Sequence, residues 1–215
     1  MVINKYLGEL LGTMILVGLG SMGILSMGGA NGPAEIIGIG LAFGLALLAG
    51  IWAVGHVSGA HFNPAVTLAA LLDKRVTFSD AIGYWVAQFA GATVGSLIVM
   101  AVAGNRAAVA QTATTYTDLT TAIVVEILLT AVFVWTILSV TKRGAENAPL
   151  AIALVLVGAH VMGIPFSGAS LNPARSFGPA AVAGDFGETL WVYIYAPLIG
   201  AVIAWALYRL FPVEE

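Results

Sequence analysis

Six stretches of this chain are each long and apolar enough to cross a lipid bilayer, and they limit its fold more than any other feature. A spanning helix needs about 20 predominantly apolar residues. We expect the fifth stretch to be short and to end at a Gly-Ile-Pro break. The predicted spans are Lys5–Met27, Ala34–His56, Ala81–Ala103, Asp118–Val140, Pro149–Ile164 and Leu190–Leu210.

The composition agrees with a membrane protein and excludes several other classes. Only 9% of the residues are charged and 60% are hydrophobic, whereas a soluble domain carries about 25% charged residues. A net charge of −3 provides no basic patch for nucleic acid. The absence of cysteine excludes disulfides and thiol chemistry, and three histidines without paired carboxylates give no metal site. We therefore expect no cofactor, no metal and no nucleic-acid partner.

The positions of lysine and arginine predict the orientation of the spans, because cytoplasmic loops are enriched in these residues. With six spans and both termini in the cytoplasm, six of the eight basic residues fall on the cytoplasmic side. Arg106 lies in an outer loop, and Arg175 lies in neither kind of loop. The six cytoplasmic residues are Lys5, Lys74, Arg75, Lys142, Arg143 and Arg209.

The chain contains an internal repeat. The segment 58–65 matches the segment 167–174 at an offset of 109 residues, and Tyr84 matches Tyr193 at the same offset. The halves, about 1–105 and 118–215 of a single domain, each contain three predicted spans. Because three is odd, the second half must be inverted relative to the first. Inverted repeats place the functional site near the bilayer midplane, between the halves.

Two apolar segments, Pro64–Leu72 and Pro173–Ala183, are too short to span the bilayer. Each follows an asparagine, a strong N-cap, and starts with proline, which is favoured at the first helical position. The boxes Asn63-Pro64-Ala65 and Asn172-Pro173-Ala174 therefore predict two half-helices that enter from opposite faces. An Asn-Pro pair can also be an ordinary turn, but two copies in matching frames favour half-helices. The preceding residues are expected to be extended and to present carbonyls to a pore: Gly59, Ala60, His61, Gly168, Ala169 and Ser170.

Two half-helices with facing N-termini would form a pore that repels cations. Each helix N-terminus carries about half a positive charge. The amides of Asn63 and Asn172 can both donate to one water oxygen, which forces that water to direct its hydrogens along the pore. Water would pass in single file while proton relay is interrupted. Half-helix dipoles and an arginine are known means of excluding protons from such pores.

The sequence resembles the aquaporin (major intrinsic protein) family. The motifs are His56-Val57-Ser58-Gly59-Ala60-His61-Phe62-Asn63-Pro64-Ala65-Val66-Thr67 and Asn172-Pro173-Ala174-Arg175-Ser176, and the resemblance covers essentially the whole chain. It implies an all-α membrane protein of six tilted helices and two re-entrant half-helices. It also implies a homotetramer with one pore in each subunit.

The resemblance further implies a selectivity filter of Phe43, His160, Ala169 and Arg175, in which Ala169 offers mainly its backbone carbonyl. From the residues alone, Arg175 could also reach the membrane surface, and His160 could be a hydrogen-bonded core residue. The set resembles that of water-selective members. Ser176 follows the arginine where glycerol-conducting members tend to carry aspartate.

Two carboxylates, Glu9 and Glu126, lie inside predicted spans, where an unpaired charge is costly. They could relay protons or accept hydrogen bonds from unsatisfied N–H groups, and the resemblance supports the second, structural role. No nucleophile–base pair indicates an enzyme.

The sequence therefore predicts a passive water channel in the cell membrane. The alternatives are a channel for glycerol, ammonia or hydrogen peroxide, or an ion-coupled secondary transporter, since transporters also contain inverted repeats and broken helices.

Overall fold

The computed structural model describes residues 2–104, 118–142 and 144–212. These residues form eight α-helices and contain no strand. The helices are α1 (Val2–Ser26), α2 (Pro33–Ser58), α3 (Pro64–Leu72), α4 (Phe78–Ala103), α5 (Leu119–Lys142), α6 (Ala148–Ser167), α7 (Pro173–Ala183) and α8 (Leu190–Leu210). Arg106 and Arg143, used above to predict orientation, lie outside the described residues.

Six of these helices are long and apolar enough to cross a membrane, namely all except α3 and α7. The all-helical fold, with six spans and two half-length helices, is as the sequence predicted. The fifth span differs from the prediction, because α6 continues through Pro165 to Ser167 instead of ending at Ile164. Gly168, in the left-handed conformation, ends α6 and donates its N–H to the carbonyl of Ile164. The Gly-Ile-Pro sequence therefore does not break the helix.

The same packing arrangement occurs twice. Helix α1 packs against α2 and α4, and α5 packs against α6 and α8. Glycines allow the close approach in both bundles: a Cβ atom on Gly91 would lie 2.2 Å from the Leu10 carbonyl oxygen, and one on Gly200 would lie 2.6 Å from that of Ile127. Close backbone approach at small residues is the usual way in which membrane helices associate.

The short helices connect the two bundles. Helix α3 packs against α8 as well as α4, and α7 packs against α4 as well as α8. Each short helix therefore contacts the last span of the other bundle. This exchange places both helix N-termini in the interior, between the bundles.

The polarity of the molecule is that of a protein surrounded by lipid. Large apolar side chains cover the outside, such as Trp52, which is 67% exposed. Polar groups are buried between the bundles instead, where they have protein partners. They include Glu9, Asn63, Thr67, Gln88, Glu126, His160, Ser170, Asn172 and Arg175.

Candidate functional site

The N-termini of α3 and α7 are formed as their local sequences predict. The side-chain oxygen of Asn63 accepts a hydrogen bond from the Ala65 N–H at 2.8 Å. The side-chain oxygen of Asn172 accepts from the N–H groups of Ala174 at 3.0 Å and Arg175 at 3.2 Å. Both asparagines are nearly fully buried. Each amide oxygen is therefore used inside its own helix, which leaves the amide nitrogen to act outside it.

Each amide nitrogen bonds the loop of the other half. Asn63 Nδ2 donates to the Leu171 carbonyl oxygen at 2.8 Å, and Asn172 Nδ2 donates to the Phe62 carbonyl oxygen at 2.9 Å. These reciprocal bonds hold the two helix ends together. Since an amide nitrogen carries two hydrogens, each asparagine keeps one N–H for a molecule between them.

The loops before the short helices are not extended, contrary to the expectation from sequence. Ala60 and Phe62 have φ angles of 55° and 49°, and the matching Ala169 and Leu171 have 50° and 54°. Non-glycine residues rarely adopt this left-handed conformation, which costs of order 1–3 kcal/mol each. This conformation cannot be read from the local sequence, because the contacts that stabilise it come from distant residues.

Glu9 supplies those contacts in the first half. One carboxylate oxygen accepts from the His61 N–H at 2.9 Å, and the other accepts from the Phe62 N–H at 2.7 Å. Gln88 Nε2 donates to the second oxygen at 2.7 Å. The ring of Phe62 fills the space left by Gly12, where a Cβ atom would lie 1.9 Å from it. The Glu9 carboxylate on α1 thus binds two consecutive N–H groups of this loop.

Glu126 makes the equivalent contacts in the second half. It accepts from the N–H groups of Ser170 at 2.8 Å and Leu171 at 2.7 Å, and from the Ser167 hydroxyl at 2.6 Å. A tyrosine from the last span of each bundle also binds the start of each loop. Tyr84 of α4 donates to the Ser58 carbonyl at 2.6 Å, and Tyr193 of α8 donates to the Ser167 carbonyl at 2.9 Å. Their matching positions in the repeat were the sequence signal for this shared role.

Three of the four predicted filter residues form one cluster. The rings of Phe43 and His160 are stacked with centroids 4.5 Å apart, and the guanidinium carbon of Arg175 lies 4.8 Å from the centre of the Phe43 ring. All three are buried. Ala169 is also fully buried but packs toward α6, where a Cβ atom on Gly163 would lie 3.0 Å from its side chain.

Two adjoining cavities lie at this cluster and next to it. A wide vestibule of about 460 Å³ is lined by Gly59, Ala60 and His61, among others. A narrow cavity of about 20 Å³ follows, and it contains both asparagines and the three clustered filter residues. Its lining residues are Leu16, Phe43, Leu47, His61, Asn63, Phe133, Leu156, His160, Ser170, Leu171, Asn172 and Arg175. Gly168 and Ala169 line neither cavity.

The two cavities adjoin, because Leu47, His61 and Phe133 line both. The narrow cavity is large enough for only one or two water molecules, since one water needs about 10–15 Å³ measured in this way. The arrangement is therefore a wide vestibule that leads to a narrow constriction lined by both polar and apolar side chains.

Comparison with known proteins identifies the family. The sequence model of the family described as "Major intrinsic protein" matches residues 1–208. The chain belongs to this family. Its members form channels, and the match covers both short helices and all six spans except the last two residues of α8.

Individual relatives cover almost the whole chain. The chain is 42% identical over 209 residues to glycerol uptake facilitator protein-like 6 of Lactiplantibacillus plantarum, covering 94% of each chain. It is 38% identical over 217 residues to aquaporin TIP2-1 of Zea mays, covering 96% of this chain and 86% of that one. The aquaglyceroporin of Plasmodium falciparum has the same fold, with a TM-score of 0.88 at 24% identity over 97% of this chain and 96% of that chain.

Proposed function

We propose that the chain is a passive water channel, a single domain whose halves are about 1–105 and 118–215. The observation that carries the proposal is the narrow cavity of about 20 Å³ at the buried cluster of Phe43, His160 and Arg175. A conduit of this size admits water in single file, and larger solutes would have to displace an aromatic or cationic side chain. The osmotic gradient supplies the driving force, and the protein performs no catalysis.

The asparagine pair is proposed to exclude protons. The N-termini of α3 and α7 each present about half a positive charge to the narrow cavity. The remaining N–H of Asn63 and of Asn172 can donate to one water oxygen, which then has no lone pair for a proton arriving along the file. Glu9 and Glu126 act as structural acceptors in this proposal, since each already binds three donors.

A channel for small neutral solutes such as glycerol is the second candidate. The relative named glycerol uptake facilitator protein-like 6 favours it at 42% identity. The stacking of Phe43 on His160 favours water, because it leaves little width beside Arg175. Ser176, in place of the aspartate of glycerol-conducting members, also favours water. The alternative permeants ammonia and hydrogen peroxide rest on the small side chain of Ala169, which lines neither cavity.

The proposed setting is the cell membrane, with both termini in the cytoplasm. Lys5 of α1 bonds Asp80 at the start of α4 at 2.7 Å, and Arg75 bonds Thr141 near the end of α5 at 2.7 Å. These basic residues therefore share the vestibule side, which supports a cytoplasmic vestibule by the positive-inside bias. A homotetramer in the bilayer, with no nucleic-acid partner and no cofactor, is proposed from the family resemblance.

Stopped-flow light scattering of proteoliposomes tests the proposed function. The wild-type protein should accelerate osmotic shrinkage in sucrose while excluding glycerol and urea. The double variant His160→Ala with Arg175→Val should admit both solutes, because it removes bulk and charge from the filter. His56→Ala with Arg209→Val changes the same residue types at exposed positions and should behave as the wild type.

Each alternative gives a different result. Glycerol flux through the wild type as fast as water flux would favour the second candidate. Saturable flux that requires an ion gradient would indicate a secondary transporter. If the double variant of His160 and Arg175 still excluded glycerol and urea, the filter assignment would be wrong.

A further inference from the structure

His61 occupies the junction between the vestibule and the narrow cavity, since it lines both. Its ring nitrogen Nδ1 lies 3.0 Å from the hydroxyl oxygen of Thr67. One nitrogen of the ring is thus used inside the protein, and Nε2 is the nitrogen that remains for the conduit. A neutral imidazole donates through one nitrogen and accepts through the other. The partners of Thr67 therefore decide what His61 offers to a permeating molecule.

Gln88 fixes one side of Thr67. Its amide nitrogen lies 2.7 Å from the Glu9 carboxylate and 2.8 Å from the Thr67 hydroxyl oxygen. Glu9 accepts this bond as it accepts those of the His61 and Phe62 N–H groups, so the group that faces it is the NH2 of the amide. Both amide hydrogens are then used, one on each partner. Thr67 consequently accepts a hydrogen bond from Gln88.

The single hydroxyl proton of Thr67 goes to the carbonyl of Asn63. That oxygen lies 3.2 Å away, four residues earlier in the chain. Helical threonines commonly bond this carbonyl. The same bond is made in this protein by Thr13, Thr93, Thr136 and Thr141. Thr67 therefore has no proton for His61, and Nδ1 of His61 must carry the proton of their shared bond.

His160 has the same protonation pattern at the other end of the narrow cavity. Its Nδ1 lies 2.9 Å from the carbonyl oxygen of Leu156, which can only accept, so Nδ1 is protonated. Its Nε2 is buried, and no described residue bonds it. The positive ends of α3 and α7 disfavour a charged ring at either histidine. Both rings thus direct an Nε2 lone pair outward from their protein partners.

We propose that Thr67 and Gln88 are positioning residues that fix His61 as a hydrogen-bond acceptor at the inner end of the conduit, matching His160 at the filter. The inference rests on the proposed function. A water molecule between Asn63 and Asn172 would accept from both amides and direct its hydrogens along the conduit, away from the asparagines. The row of water molecules then has a hydrogen-bond acceptor at each end, Nε2 of His61 and Nε2 of His160. The reversal of water orientation is thereby enforced by side chains as well as by helix dipoles.

The repeat indicates that this network does more than brace the loop. The positions that match His61, Thr67 and Gln88 at an offset of 109 are Ser170, Ser176 and Pro197. The second loop is held without an imidazole or an amide at these positions. The second loop has the equivalent side-chain contact between the hydroxyls of Ser170 and Ser176. The imidazole and the amide are therefore what the first half adds, at the side that faces the vestibule.

Solid-state 15N NMR of the full-length protein in liposomes, labelled at histidine, tests the proposal. The chain has three histidines, and His56→Gln and His160→Gln assign their resonances. The expected wild-type spectrum has a protonated Nδ1 and an unprotonated Nε2 at His61. Thr67→Val keeps the side-chain shape but removes the acceptor, so the tautomer ratio should shift about five-fold toward protonated Nε2, the effect of one neutral hydrogen bond.

Two further variants make the test specific. Thr67→Ser restores the hydroxyl and should restore the wild-type spectrum. Thr93→Val removes a hydroxyl that bonds only its own helix, on the same helix as Gln88, and should leave His61 unchanged.

A wild-type spectrum with protonated Nε2 would overturn the proposal, even if the Thr67 variant did not fold. A Thr67→Val spectrum identical to that of the wild type would overturn the role of Thr67. Failure of the proposed function would be seen separately, as wild-type liposomes that shrink no faster than empty ones.

Discussion

Replacing Glu126 by glutamine tests whether this buried acid holds the second loop. The change keeps the size of the side chain but turns one oxygen into an NH2 group. The carboxylate accepts from three donors, the N–H groups of Ser170 and Leu171 and the Ser167 hydroxyl. A glutamine can accept only through its single oxygen. At least one donor must therefore face another donor.

The contacts of Glu126 set the size of the effect. The least costly amide orientation turns the NH2 toward Leu171, whose N–H then stays buried without a partner at a cost of about 1–3 kcal/mol. The other two bonds weaken from charge-assisted to neutral, which costs about 1 kcal/mol each. The expected loss is about 3–5 kcal/mol, a large share of the 5–15 kcal/mol typical of a folded domain.

Thermal unfolding of the purified protein in mild detergent measures this loss for Glu126→Gln. For chains of this length, each kcal/mol lowers Tm by about 2–4 °C, so a decrease of at least about 6 °C is expected. Glu188→Gln makes the same chemical change at an exposed site and should leave Tm within about 1 °C. If both variants unfolded at the wild-type temperature, the carboxylate would not stabilise the loop and the reasoning would be refuted.

Three further predictions concern packing and the repeat, and the same thermal assay measures them. Gly12→Ala should destabilise the protein by at least about 1–3 kcal/mol, because the new Cβ would lie 1.9 Å from the ring of Phe62; an unchanged Tm would contradict this packing. Gly158→Ala should instead stabilise by about 0.5–1 kcal/mol, since its Cβ would meet only a flexible methionine end at 3.7 Å. Tyr84→Phe and Tyr193→Phe should each cost about 1–3 kcal/mol, because each leaves a buried carbonyl without its donor. Unequal losses in this pair would argue against equivalent roles in the two halves.

Local signals in the sequence predicted the short helices well. The predicted bounds Pro64–Leu72 and Pro173–Ala183 are those of α3 and α7. An asparagine N-cap and a proline at the first position act within a few residues, so they can be read from sequence without knowledge of the tertiary structure. The end of α6 was predicted wrongly, because the proline at position 165 removes one hydrogen bond without stopping the last turn.

Features that depend on distant contacts could not be predicted. The left-handed residues of the loops follow from N–H groups that turn toward Glu9 and Glu126, residues 44 to 53 positions away in the chain. The bond from Asn63 to the Leu171 carbonyl joins residues 108 positions apart. Gln88 was one readable signal, since it is the lone amide of its span and has proline as its counterpart in the repeat.

The two halves share their supporting contacts but differ in the side chains that line the cavities. The acids, the left-handed loop residues and the cross-bonds occur in both halves. The position that matches Arg175 is Val66, which is buried in the apolar core, and the cation therefore occurs on one side only. Arg175 lines the narrow cavity, whereas Val66 lines the wide vestibule. In the proposed channel, substitutions at Arg175 or His160 should change what passes more than they change stability.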